Sequence, residues 1–328
     1  MNMIRIAARC ALLILFVGSP CLAHHGVAPH YDVTKPVHLE GVVAKFDFIN
    51  PHSFLYIDVV DVAGNKQSWS CEMASRSVLS RNGLTPDRFE PGAKITIDGV
   101  AARHKATGCA FRTAHFADGS TLEDTSLFGP TRASAAEIPA DSQSIVGFWT
   151  MKQFLSVRHY GVLTEAGERA RAAFDPIKDD PAIHCDPGGP VRFWINVNEP
   201  FEIKREGDRV VVNQRFMDSQ RVLHLDGAAP ADTPRGTMGY STGRFEGNAL
   251  VITTDRFAAG TIEPRFAIMH TENLKLTERL EVDAEGELAI TFTIDDPTFF
   301  DAPYQITDLF VRSRWNPELY NCKPGYQQ

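Results

Sequence analysis

The stretch NLKLTERLEVDAEGELAITFTID (273–295) alternates apolar and polar residues in two runs joined by a Glu-Gly turn. That period of two limits the fold more than any other feature of the chain. Successive side chains of a strand point to opposite faces, so such a run buries one face and wets the other. The pattern recurs in PFEIKREGDRVVVNQRF (200–216), a hairpin around Glu206-Gly207-Asp208. It recurs again in RVLHLDG (221–227), GRFEGNALVITTDRF (243–257) and YQITDLFVRSR (304–314). About eight antiparallel strands with tight turns predict a calycin-like (lipocalin-like) barrel, which closes its edges and can enclose a pocket. A β-sandwich is the alternative. One helix precedes these strands, TEAGERARAAF (164–174), with Thr164 as N-cap and Asp175-Pro176 as its stop.

Upstream, HLEGVVAKFDF (38–48), SFLYIDVVD (53–61), QSWSCEM (67–73), KITIDGVAARH (94–104) and CAFRTAHFADG (109–119) read as short strands. A short helix, SRSVLSRNGL (75–84), falls between the third and the fourth. That order predicts an OB-like small barrel, with another five-stranded roll as the competitor. The fold class is therefore all-β with few helices. Residues 129–144, rich in Pro, Ala and Ser, predict a linker between domains at 24–128 and 145–328.

The chain begins with Arg5 and Arg9, an apolar run ALLILFVG (11–18) too short to span a bilayer, and small residues at Cys21 and Ala23. This is the layout of a signal peptide over 1–23, cut after Ala23, and it predicts export to the periplasm. Beyond that cut stand 31 basic and 41 acidic residues, a net charge of −10. An acidic chain without Lys/Arg clusters argues against nucleic acid and anionic membrane surfaces as partners. No membrane span is expected after the cut, and the sequence names no protein partner. Cys71, Cys109, Cys185 and Cys322 remain, an even set that an oxidising compartment allows to pair. Domain boundaries favour Cys71 with Cys109 and Cys185 with Cys322. Zinc is the competing use of these thiols, although no Cys-x-x-Cys spacing supports it.

HHGVAPHYD, KPVHLEGVVAKFDFINPHSFLYIDV, WSCEMAS and PGAKITIDG resemble an exported domain of unknown function, number 6152. Members share a His-His start, a Tyr-Asp, a strand ending Asn-Pro-His and a Trp…Glu-Met strand. Cys71 departs from that pattern, which has an apolar residue before Glu-Met, and the departure favours a local bridge to Cys109. The second part, through MGYSTGRFEGNALVITT and HTENLKLTERL, is similar to another uncharacterised exported domain, with Phe245 where Trp is usual. Neither resemblance implies an activity.

Two constellations can carry chemistry. In the first, cleavage after Ala23 gives His24 a free α-amine beside its imidazole, with His25 and His52 adding imidazoles. Glu72 and Met73 lie on a neighbouring strand and complete the candidate metal set. Amine and imidazole nitrogens suit Cu(II), and a thioether favours Cu(I), so copper is the expected cofactor. A cut one residue earlier places histidine third, an arrangement that also binds Cu(II). In the second, His270, Glu272 and Glu278 fall on one face of a continuous strand, with Arg244 near for an anion. That would be an acid–base pair inside the barrel. The leading expectation is a binding protein, for copper in the first domain or a small hydrophobic ligand in the second. An enzyme of lyase, isomerase or hydratase type and a structural or envelope-interaction module are the alternatives.

Overall fold

A computed structural model describes residues 27–60, 64–124, 144–152, 159–195, 199–225, 227, 229–313 and 319–323. The leader over 1–23, His24, His25 and nearly all of the expected linker lie outside the described residues. The fold is all-β, built as two barrels.

The first begins with a single helical turn, α1 (Val27–His30), and the long strand β1 (Tyr31–Asp47). β2 (Ser53–Val60), β3 (Lys66–Met73), α2 (Arg76–Arg81), β4 (Lys94–Ala102), β5 (Gly108–Phe116) and β6 (Thr121–Glu123) follow. The strand order is β3-β2-β1-β4-β5-β6, and β3 also pairs with β5 in parallel. That last pairing closes β1, β2, β3, β5 and β4 into the OB-like ring expected from the sequence. α2 sits between β3 and β4, where the helix was predicted, and Ser75 caps it by accepting from the Val78 amide at 3.3 Å. Leu55, Ile57, Phe89, Ile97 and Phe111 fill the ring. Cys71 and Cys109 face each other in the β3–β5 register and are bonded.

The second barrel is closed, with nine strands rather than about eight. Its strands are β7 (Gly147–Met151), β8 (Phe201–Glu206), β9 (Arg209–Gln214), β10 (Ser219–His224), β11 (Tyr240–Glu246) and β12 (Ala249–Asp255), then β15 (Lys275–Val282), β16 (Leu288–Asp295) and β17 (Tyr304–Arg312). β13 (Gly260–Glu263) and β14 (Ile268–His270) form a separate hairpin. β10 and β11 pair in parallel over two residues, so the barrel is not purely up-and-down. α3 (Glu165–Ala173) has the predicted Thr164 cap, accepting from the Gly167 amide at 3.1 Å.

β15 and β16 keep the period of two that opened the sequence. Leu276, Leu280, Leu288, Ile290, Phe292 and Ile294 all point inward. Each such side chain contributes roughly 1.5–3 kcal/mol by leaving water. The segment PVRFW forms α4 (Pro190–Trp194), with Pro190 in the first helical position where its missing N–H costs nothing. α4 drives Phe193 and Trp194 into the core, where Trp194 meets Phe201 edge-on at 5.0 Å. No helix among the described residues is long and apolar enough to cross a membrane.

Candidate functional site

His52 begins the chain's turn into β2, directly after a cis Asn50–Pro51 bond. β2 and β3 pair antiparallel with Phe54 opposite Glu72, which brings Glu72 beneath the histidine. His52 Nδ1 and Glu72 Oε1 form an ion pair at 2.5 Å. The other Glu72 oxygen accepts from the Tyr31 hydroxyl, which arrives from the start of β1. Glu72 is buried and Tyr31 nearly so, while the His52 side chain keeps 43% of its surface. Burial disfavours charge on both partners, but the mutual attraction outweighs it. His52 is held above its ordinary range, and Glu72, also bonded to Tyr31, is held below the usual carboxylate range. The same burial and the neighbouring carboxylate push the Tyr31 phenol far up, so it stays a donor.

The consequence is a directed imidazole. Glu72 occupies Nδ1, and Nε2 carries no hydrogen bond or ion pair among the described residues. A histidine whose second nitrogen is fixed by a carboxylate is the usual arrangement behind a metal ligand, because the carboxylate sets ring orientation and basicity. His30, the last residue of α1, is close enough to Glu72 to favour its ionised form.

Two members of the expected metal set change role. Met73 is sealed in the ring's core, where its thioether meets other apolar side chains and cannot reach an ion beside His52. Glu72 is engaged on both oxygens, so it orients His52 rather than binding a metal itself. Among the described residues no three His, Cys, Asp or Glu side chains gather as a metal cluster. On the outer face, His38 Nδ1 and His115 Nε2 both contact Asp98, at 2.7 and 2.9 Å, an exposed arrangement that carries neither burial nor an open nitrogen pair aimed at one point.

The acid–base set in the second barrel is not assembled. The expected continuous strand breaks at Thr271–Asn273, where Asp296 accepts from the Thr271 amide at 2.5 Å and its hydroxyl at 3.0 Å. His270 ends β14, outside the barrel wall, and donates through Nδ1 to the Thr271 carbonyl at 2.9 Å. Burial holds it below its ordinary range and hence neutral. Glu272 is exposed and pairs with Arg235 at 3.3 Å. Arg244 is likewise on the surface, with Glu246 at 2.7 Å. Only Glu278 lies inside the barrel. There Arg221 grips it, with 2.7 Å from Nη1 to Oε1 and 2.5 Å from Nη2 to Oε2, and Trp194 Nε1 donates to Oε1 at 2.5 Å. Ser241 and Thr254 accept from the remaining guanidinium hydrogens. This is a satisfied ionic tie across the barrel, not an open base.

A third polar cluster joins the barrels. Asn50 Nδ2 donates to the Tyr320 carbonyl at 2.5 Å, and the Asn50 carbonyl accepts from the Lys323 amide at 3.0 Å. Arg76 of α2 donates to the Leu319 carbonyl at 2.7 Å. The strap 319–323 is held from the other side by Cys185–Cys322 and by Asp218, which accepts from the amides of Tyr320 and Asn321 at 2.7 and 2.8 Å. Cys185, Asp218 and Asn321 all adopt positive φ here, a conformation that costs each about 1–3 kcal/mol and that dense bonding must hold. Glu199 completes the junction by accepting from the Ser77 hydroxyl of α2.

Residues 12–110 match the model of a family of unknown function, DUF6152, which covers the OB-like ring as far as the start of β5. No curated protein matches the chain.

Proposed function

We propose that the chain is an exported periplasmic copper-binding protein whose first domain supplies the metal site. His52 Nε2 is one ligand, and His24, through its α-amine and imidazole, together with His25 supplies the others once the leader is cut. The observation that carries this reading is the setting of His52: Nδ1 pairs with Glu72, Glu72 also accepts from Tyr31, and the His52 side chain stays 43% exposed with no further hydrogen bond or ion pair among the described residues. A nitrogen-rich set of this kind suits Cu(II). The small-ligand and acid–base readings of the second barrel have weaker support, because Glu278 is spent on Arg221 and Trp194.

The test is copper analysis of protein produced with export, with mass spectrometry of its N-terminus. Wild type is expected to hold about one Cu(II) per chain, and His52→Ala to release most of it. Copper at background in wild type, with the leader removed after Ala23, overturns the reading.

A further inference from the structure

The junction between the barrels contains a buried carboxylate that the metal site does not use. Glu199 is 2% exposed. Its Oε1 meets the Ser77 hydroxyl, its Oε2 is sealed without a hydrogen-bond partner among the described residues, and the Arg81 guanidinium stands 3.9 Å away through Nη2. Ser77 Oγ in turn lies 3.3 Å from Asn50 Oδ1, and Asn50 Nδ2 donates to the Tyr320 carbonyl of the strap. A hydroxyl has one hydrogen to give. With Glu199 ionised, Ser77 spends it on the carboxylate, and Asn50 Oδ1 keeps only the Ser77 amide at 3.2 Å. With Glu199 protonated, the acid donates to Ser77 Oγ, Ser77 donates to Asn50, and Asn50 donates to Tyr320. That chain runs in one direction, from the second domain through α2 and back.

We propose that Glu199 is a proton-operated latch between the two domains: protonated, it completes this relay and sits in the sealed junction without charge, and ionised, it leaves a buried carboxylate with one oxygen unpartnered among the described residues and so loosens the docking of α2 against the strap. The proposal is independent of copper. Charged and titratable groups facing Glu199 are Arg81 and Arg76 of α2, Asp218 beside the strap, and Tyr320 within it. Residues 196–198, just before it in sequence, are Asn, Val and Asn and bring no ionisable group. Burial dominates over the two arginines and lifts the Glu199 carboxyl to about 7. The docked state therefore binds a proton that an undocked, solvated carboxyl releases near its ordinary 4.5. Docking is strongest on the acid side and weakens as pH rises between those two values, remaining weak above them.

Hydrogen exchange of the α2 amides in the full chain tests this, with Glu199→Gln as the reference that shares intrinsic exchange rates. From about pH 6 to about pH 8.5, wild type is expected to lose about tenfold in protection relative to Glu199→Gln. Infrared difference spectra of wild type over the same range need no variant to fold. They should show the carbonyl band of a protonated carboxylic acid disappearing, and Glu199→Gln should lack that component. Parallel protection profiles for the two proteins, or no acid carbonyl band in wild type at about pH 6, would overturn the latch.

Discussion

The two barrels treat their buried carboxylates in opposite ways. In the larger one, Glu278 is enclosed by Arg221, Trp194 and Thr254, so every oxygen faces a donor and the group is spent on holding the wall together. In the smaller one, Glu72 is equally buried but spends itself on a histidine whose side chain stays partly exposed. Burial of charge alone does not separate a structural tie from a site. What separates them is whether the network ends on a group with an unused valence facing solvent.

The sharpest way to break this comparison is to remove Glu278. Glu278→Ala should cost about 3–5 kcal/mol, seen as a lowered midpoint in denaturant, because Arg221 is left charged and buried. Replacing both partners with apolar residues, as Arg221→Met with Glu278→Leu, should recover most of that loss. A double variant as unstable as the single one would mean that the pair does more than tie strands. Next comes the Cys185–Cys322 bridge, which spans 137 residues. Its replacement by alanines should cost about 2–4 kcal/mol, with the loss read by calorimetry. At the metal site Glu72→Gln should weaken Cu(II) binding by about 10–100-fold with little change in fold, as measured by competition with a chelator. An unchanged affinity would show that Glu72 does not orient His52.

A smaller effect concerns His270. Its folded range is depressed by burial, so the unfolded chain takes up the proton first as pH falls below about 6.5. His270→Phe should flatten that acid limb of the stability profile, measured by urea midpoints across the range. Arg244→Ala closes the series. Its pair with Glu246 is exposed, and the change should stay within about 0.5 kcal/mol.

What was legible in the sequence follows from the range of each signal. Alternation is local, so it marks β15 and β16 as strands with one buried face, and Thr164 announces α3. Alternation also misled: the pattern runs unbroken from His270 to Glu278, yet Asp296 captures Thr271 from 25 residues away and turns the chain. Arg244 lies on the surface beside Glu246, a placement that a period of two does not fix where flanking residues are mixed. Arg221 could have been found, since it stands in phase with the inward Leu223 of the same strand. The Glu72–Tyr31 bond spans 41 positions and the Glu199–Ser77 bond 122, and no local pattern encodes either. Both disulfides were accessible because the domain division limited each cysteine to a short list of partners.

The Cys71–Cys109 bond has a mechanical consequence. It joins β3 to β5 at the parallel seam that closes the small ring, and so makes a covalent hoop that encloses α2 and β4. Tension applied along the chain can peel β1 from β2 and β4, but it stops at the hoop. The segment that carries Ser77, Arg76 and Arg81 to the second barrel would then be the last part of the first domain to yield.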